Sequence, residues 1–275
     1  MRPEVVAHRG ASHDVAEHTL GAYVAALDAG AEGLECDVRL TADGHLVCVH
    51  DRHLRRIGAQ GLVSAMELAD LAELDFVSWK NGWWQADEAP DKDDRDARLD
   101  RVLTLRTLLE TVRDYDHRVE VAIETKHPTR YGGLVERRLV EMLRQFGWEK
   151  RDSPVRVMSF SFTALQRIER LAPDVQLVQL IERARNWSMV RHAMGEDWIL
   201  GPGVEMLRKH PKLMRKIRDT GRELHVWVVN TEEELDLCLE LGAGAVITDR
   251  PAYVFDLLAH KGLPATSPKK PRGVC

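Results

Sequence analysis

Glu35 and Asp37 sit two residues apart in the run GLECDVRL, and His50 follows a turn, all within Gly33 to Asp51. Alternate residues of a strand face one side, so the two carboxylates aim into one space. Like charges there repel unless something positive lies between them. Oxygen ligands suit a hard divalent cation, Mg²⁺ or Ca²⁺. The plain alternative is a half-buried strand with two surface acids. A second pair, Glu124 and Lys126 in AIETK, repeats the pattern on another apolar run. Charges on such a strand are costly unless paired or used. His8 and Arg9 end the run VVAHRG, and Trp227 lies in HVWVVN. Histidine titrates near neutrality, so His8 and His50 suit proton transfer.

These residues need a scaffold that gathers strand ends. A strand at 5–8 runs into a Gly turn, and Leu20, Tyr23, Val24 and Leu27 predict a helix that stops at Gly30. Ala42-Asp43-Gly44 is a hairpin signal, with 45–50 returning as an accessory strand. Residues 52–102 break the rhythm. Met66 to Leu74 suits a short helix, Trp79, Trp83 and Trp84 a small local core, and 87–100 a solvated acidic run. This stretch reads as an insertion rather than a second domain. From Thr104 the beat is regular, with strands at 119–126, 155–160, 175–181, 198–203, 223–230 and 245–248. Helices fill the gaps, at 133–147, from Ser161 to Pro173, at 184–194, around Leu213, Met214 and Ile217, from Thr231 to Gly242, and from Pro251. Leaving out the accessory strand, eight βα units predict an α/β fold, a (β/α)₈ TIM barrel over 1–261. The insertion 52–102 follows its second strand, and the tail 262–275 is expected to be disordered.

Chemistry in such a barrel gathers at the C-terminal strand ends. That rim collects His8, Arg9, Glu35, Asp37, Glu124, Lys126 and Trp227, and the accessory strand brings His50 back to it. Trp227 fits packing as well as substrate contact. His13, His18, His192 and His210 lack metal-ligand spacing. The insertion enters beside His50 and is expected to set substrate choice.

The chain has 275 residues, 44% hydrophobic and 30% charged, with a net charge of −5 and both signs interspersed. That balance excludes a broad nucleic-acid footprint. No apolar run suits a stable membrane insertion, and MRPEVVAHRG lacks the apolar core of a secretion signal. Cys36, Cys48, Cys238 and Cys275 form no CxxC pair, which predicts reduced thiols and a cytoplasmic setting. The sequence does not set the oligomeric state.

Taken together, the motifs resemble those of the glycerophosphodiester phosphodiesterase family. They are HRG at 8–10, Glu17-His18-Thr19, Glu35-Cys36-Asp37, Thr41 to Gly44, His50-Asp51, Glu124-Thr125-Lys126, WVVN at 227–230 and TDRP at 248–251. They stand in the family's order across nearly the whole chain outside the insertion. The resemblance implies hydrolysis of glycerophosphodiesters to glycerol 3-phosphate and an alcohol. It implies a Mg²⁺ or Ca²⁺ ion on Glu35, Asp37 and Glu124, with Arg9, Lys126 and Trp227 binding substrate. His8 and His50 would act as acid and base, in either order. The attacking group it implies is the substrate's own glycerol hydroxyl, giving a cyclic phosphate that water opens. The family usually has PENT where this chain has Ala16-Glu17-His18-Thr19. That departure is expected to alter the first turn of the helix and to leave the acids untouched. Competing readings are a lysophospholipid phosphodiesterase, a metal-dependent barrel lyase or isomerase, and a catalytically dead phosphate-binding protein.

Overall fold

Short runs rich in Val, Ile and Leu form nine strands in the computed structural model, which describes residues 2–81, 101–130 and 132–264. They are β1 (Glu4–His8), β2 (Gly33–Leu40), β3 (Leu46–Cys48), β4 (Glu120–Thr125), β5 (Val155–Ser159), β6 (Gln176–Ile181), β7 (Ile199–Pro202), β8 (His225–Trp227) and β9 (Ala245–Thr248). Eight of them run parallel in the order β7-β6-β5-β4-β2-β1-β9-β8, with helices between. Parallel bridges Leu200–Leu224 and Gly203–Trp227 join the two ends, so the sheet is a nearly closed (β/α)₈ barrel, as the repeated βα pattern predicts. β3 lies outside the ring and pairs antiparallel with β2.

Register fixes what meets at the rim. His8 stands beside Glu35, and Asp37 beside Glu124. Two layers follow from the alternation of each strand. Val6, Ala122, Met158, Val178, Leu180, Ile199, Ala245 and Ile247 fill the barrel. Cys36, Val38, Val121, Ile123 and Val157 point outward into the larger core under the helices. Thr104 caps the helix Leu105–Arg113, and Thr231 with Glu234 forms the capping box of Glu232–Leu241.

The helix expected around Leu213, Met214 and Ile217 is Pro211–Arg218, and a separate short helix, Val204–Lys209, precedes it. Proline cannot continue a helix through its missing N–H but starts one well, and Pro211 sits at that start. The helix near 184–194 is shorter, Ala184–Val190, as is the one in the insertion, Leu68–Ala72.

The insertion buries Leu54, Val63, Leu71 and Phe76 against Val47 of β3, apart from the barrel core. Trp79 donates to the Phe76 carbonyl at 2.9 Å and lies under the Arg56 guanidinium. Trp83, Trp84 and the expected acidic run lie outside the described residues. So does most of the expected disordered tail, although Leu263 packs on the core and its N–H bonds Leu258. Among the described residues no helix is long and apolar enough to cross a membrane.

Candidate active site

β1 ends at His8, and the chain turns through two left-handed residues, Arg9 (φ 59°) and Gly10 (φ 87°). A side chain at Gly10 would put its Cβ 2.5 Å from the Ala22 carbonyl carbon, so glycine lets the turn press on the helix Leu20–Asp28. Left-handed Arg9 is a strained conformation for a non-glycine residue, held here because its N–H bonds the Glu35 carbonyl at 3.0 Å. Its side chain spans Glu17 and Asp37, with Nη1 3.2 Å from both Glu17 oxygens and Nε 2.9 Å from Asp37 Oδ2.

Glu35, Asp37 and Glu124 are buried, and each offers an oxygen within 4.8 Å of the other two. Burial, then the Asp37 charge, pushes the Glu35 carboxyl well above its usual range. The same causes push Glu124 up to about 8. Burial also acts to raise Asp37, but Arg9, His18 and Lys126 outweigh it and hold that carboxylate well below the usual range. Lys126 Nζ lies 2.9 Å from Glu124 and 3.2 Å from Asp37 Oδ1. Burial opposes its charge, and the two carboxylates more than compensate, so its pKa is raised. The contacts of Arg9 and Lys126 to Asp37 are electrostatic rather than aligned, because Asp37 Oδ1 and Arg9 Nε both lack an oriented hydrogen-bond partner. A buried carboxylate oxygen left in that state, among two protonation-prone acids, fits a divalent cation with oxygen ligands.

Two histidines flank the acids. His8 Nδ1 lies 2.6 Å from Asp249 Oδ1, a carboxylate also bonded by Ser12 and by Asn230. His8 Nε2 is 3.9 Å from Glu35. His50 Nδ1 lies 2.9 Å from Asp51, and burial lowers the imidazole pKa. The Arg39 side chain donates from Nε and Nη2 to the His50 carbonyl at 2.9 and 2.6 Å.

A cavity of about 370 Å³ opens at this rim, lined by His8, Arg9, Glu35, His50, Glu124, Lys126 and Trp227. The remaining expected residue, Asp37, lies beneath it with no exposed surface. Trp227 anchors its indole N–H on the Gly201 carbonyl at 2.8 Å and meets Phe160 edge to face at 5.3 Å.

Asp249, Arg39 and His18 enter from the structure. Asp249 stands inside the TDRP motif, which signalled its place but not its partner. His18 corrects the expectation that the departure from PENT leaves the acids untouched. It is buried, with Nε2 2.9 Å from Asp37 and Nδ1 2.9 Å from the Tyr23 hydroxyl, which donates to the Glu35 carbonyl at 3.1 Å. Its backbone is left-handed (φ 61°), which Asn and His tolerate better than most residues.

Residues 8–253 match the model of the glycerophosphoryl diester phosphodiesterase family. The chain is 44% identical over 255 residues to a probable glycerophosphodiester phosphodiesterase 1 of Mycobacterium tuberculosis, covering 90% of each. It is 32% identical to a glycerophosphodiester phosphodiesterase of Bacillus subtilis, covering 90% of this chain and 83% of the other. A putative glycerophosphoryl diester phosphodiesterase from Silicibacter pomeroyi superposes with a TM-score of 0.80 at 25% identity, over 96% of this chain and 95% of that one. An Oleispira antarctica phosphodiesterase, in complex with its product sn-glycerol-3-phosphate, gives 0.78 at 24%, over 94% and 97%. Barrel, rim and sequence agree on one assignment: the chain belongs to the glycerophosphodiester phosphodiesterase family and is a phosphoric diester hydrolase.

Proposed function

We propose that the protein hydrolyses glycerophosphodiesters to glycerol 3-phosphate and an alcohol, with His8 and His50 as its acid–base pair and a divalent cation on Glu35, Asp37 and Glu124. The observation that carries this is the set of three buried carboxylates within 4.8 Å, beside two cations and below two histidines. With a divalent ion bound and the three carboxylates ionised, Arg9 and Lys126 bring that group to net positive charge. That sign suits a phosphodiester monoanion. The product complex of the Oleispira relative supports the glycerol 3-phosphate side of the reaction. A cytoplasmic setting fits the free buried thiols of Cys36, Cys48 and Cys238.

A Mg²⁺ or Ca²⁺ held by Glu35, Asp37 and Glu124 would supply Lewis-acid stabilisation of the phosphoryl charge. The remaining work falls to the chain. Arg9 and Lys126 hold the phosphate, one as a fork and one as a point charge. Asp249 and Asp51 each accept from an Nδ1–H, so His8 and His50 turn Nε2 to the reacting oxygens. One histidine takes the proton of the glycerol hydroxyl as its oxygen bonds phosphorus. The other gives a proton to the alkoxide as the second P–O bond breaks. The roles then reverse, and water opens the cyclic phosphate. Trp227 presents its face to the substrate's carbon chain.

The test is a substrate panel of glycerophosphodiesters, lysophospholipids and carbonyl substrates, read out as free glycerol 3-phosphate. Chelation should abolish turnover, and Mg²⁺ or Ca²⁺ should restore it. Full activity in excess chelator overturns the metal role, and release of free glycerol, with the diester phosphate left on the head group, overturns the bond assignment.

A further inference from the structure

A second cleft opens at the rim on the far side of Lys126, which lines both. Its polar wall is Arg39, Arg52, Lys126 and Arg130, with the hydroxyl-bearing Ser64 and Thr129, and no acidic side chain lines it. Lys126 faces Asp37 and Glu124. Among the described residues no carboxylate lies within ion-pair distance of Arg39 or Arg52. Arg39 is also fixed in place by both bonds to the His50 carbonyl, and the carboxylates of Asp37, Glu124 and Asp51 act on its charge only from beyond ion-pair distance. Guanidinium groups cannot shed their proton, so like charges facing one cleft repel until an anion fills it. Planar arginine forks fit phosphate oxygens in pairs.

We infer that this cleft binds a phosphate monoester carried on the leaving alcohol, so the enzyme selects glycerophosphodiesters whose head group is itself phosphorylated. The inference rests on the hydrolase reading above. One group of the substrate sits on the catalytic rim, and Lys126 stands between that phosphate and the second one. The same chemistry would recognise free phosphate, and the experiment separates the two sources.

The probes are glycerophosphoinositol and glycerophosphoinositol 4-phosphate, with the metal-loaded full chain. Arg52 and Arg130 are exposed and stand outside the catalytic set, so R52Q and R130Q are the variants. The wild type should favour the phosphorylated substrate in kcat/KM by roughly tenfold, the scale of one charge-assisted contact. Both variants should lose that preference and keep the unphosphorylated rate, and added salt should shrink the preference in the wild type. Equal kcat/KM for the two substrates in the wild type overturns the proposal, as does a preference that survives both substitutions. Inhibition by inorganic phosphate that R52Q abolishes, without any substrate preference, makes free phosphate the occupant and overturns the head-group assignment. Failure to release glycerol 3-phosphate from either probe overturns the hydrolase reading itself.

Discussion

His8 and His50 share one arrangement, a carboxylate on Nδ1 and a place in the cavity wall, though they arrive on different elements. Each His→Ala change should lower kcat by about two to four orders of magnitude, the usual size of a general acid or base. The double variant should lose less than the product of both, because residues acting as a unit are not additive. Metal affinity, measured in parallel, should hold, since the ligands are carboxylates. Near-normal kcat in either single variant removes that histidine from the chemistry. Burial holds His50 below its ordinary 6.5, so its neutral form persists to lower pH. If His50 is the base, the acidic limb of kcat/KM falls below 6.5; a limb above that value excludes it from the base role. The side chains at the centre were legible because motif order and strand alternation both mark them. Their supports were not. Asp249 meets His8 across 241 positions, and Arg39 reaches a backbone carbonyl, which no spacing rule reports.

β3 is shared between two cores: its Val47 packs with Leu54, Val63, Leu71 and Phe76 of the insertion, while Leu46 and Cys48 pack in the larger core under the helices. Backbone bonds from Cys48 to Leu103 and from Val49 to Asp37 tie it back to the frame. Leu71→Ala should therefore cost about 2–5 kcal/mol, the range for emptying a buried leucine site. The loss should be local: hydrogen exchange should quicken at Cys48 and Val49 and stay unchanged in β4 to β6. Uniform quickening across the barrel would show one shared core instead. Element positions followed well from apolar period and caps, as at Thr104 and Thr231. The helix start at Pro211 had its signal in plain view, because proline is as good a helix start as it is a stop. The pairing of Val47 with the insertion had none, because hydrophobicity does not name its partner.

At the scale of the barrel, the mouth holds more acid than the fold alone can stabilise. Glu124, ordinarily near 4.5, is pushed up to about 8 by burial and by Asp37, so the metal-free folded state binds a proton there that the unfolded chain releases. Its carboxyl therefore favours the fold below 4.5, and that contribution is lost as pH rises toward about 8. A cation must displace the same proton. Metal affinity should rise with pH up to about 8, by as much as about tenfold per unit for one proton released. Calorimetric titration with Mg²⁺ or Ca²⁺ across that window, in buffers of different ionisation enthalpy, counts the protons. Affinity that does not change with pH would mean Glu124 is already ionised. The barrel itself was legible because eight βα repeats admit few topologies. The charge imbalance at its mouth was not, because burial and like-charge crowding appear only when strands are set side by side.

His50 rides on β3 and the chain beyond it, not on a barrel strand, and residue 52 already begins the insertion. Half of the proposed acid–base pair is thus physically continuous with the segment expected to choose the substrate. On that proposal, a lineage that reshapes the segment for a new head group must carry His50 through the change. Arg39, the short β2–β3 ladder and the Cys48–Leu103 backbone bond clasp it to the frame. Grafts between relatives should accordingly be cut before the hairpin, at residue 41, so that proton transfer and recognition travel as one cassette.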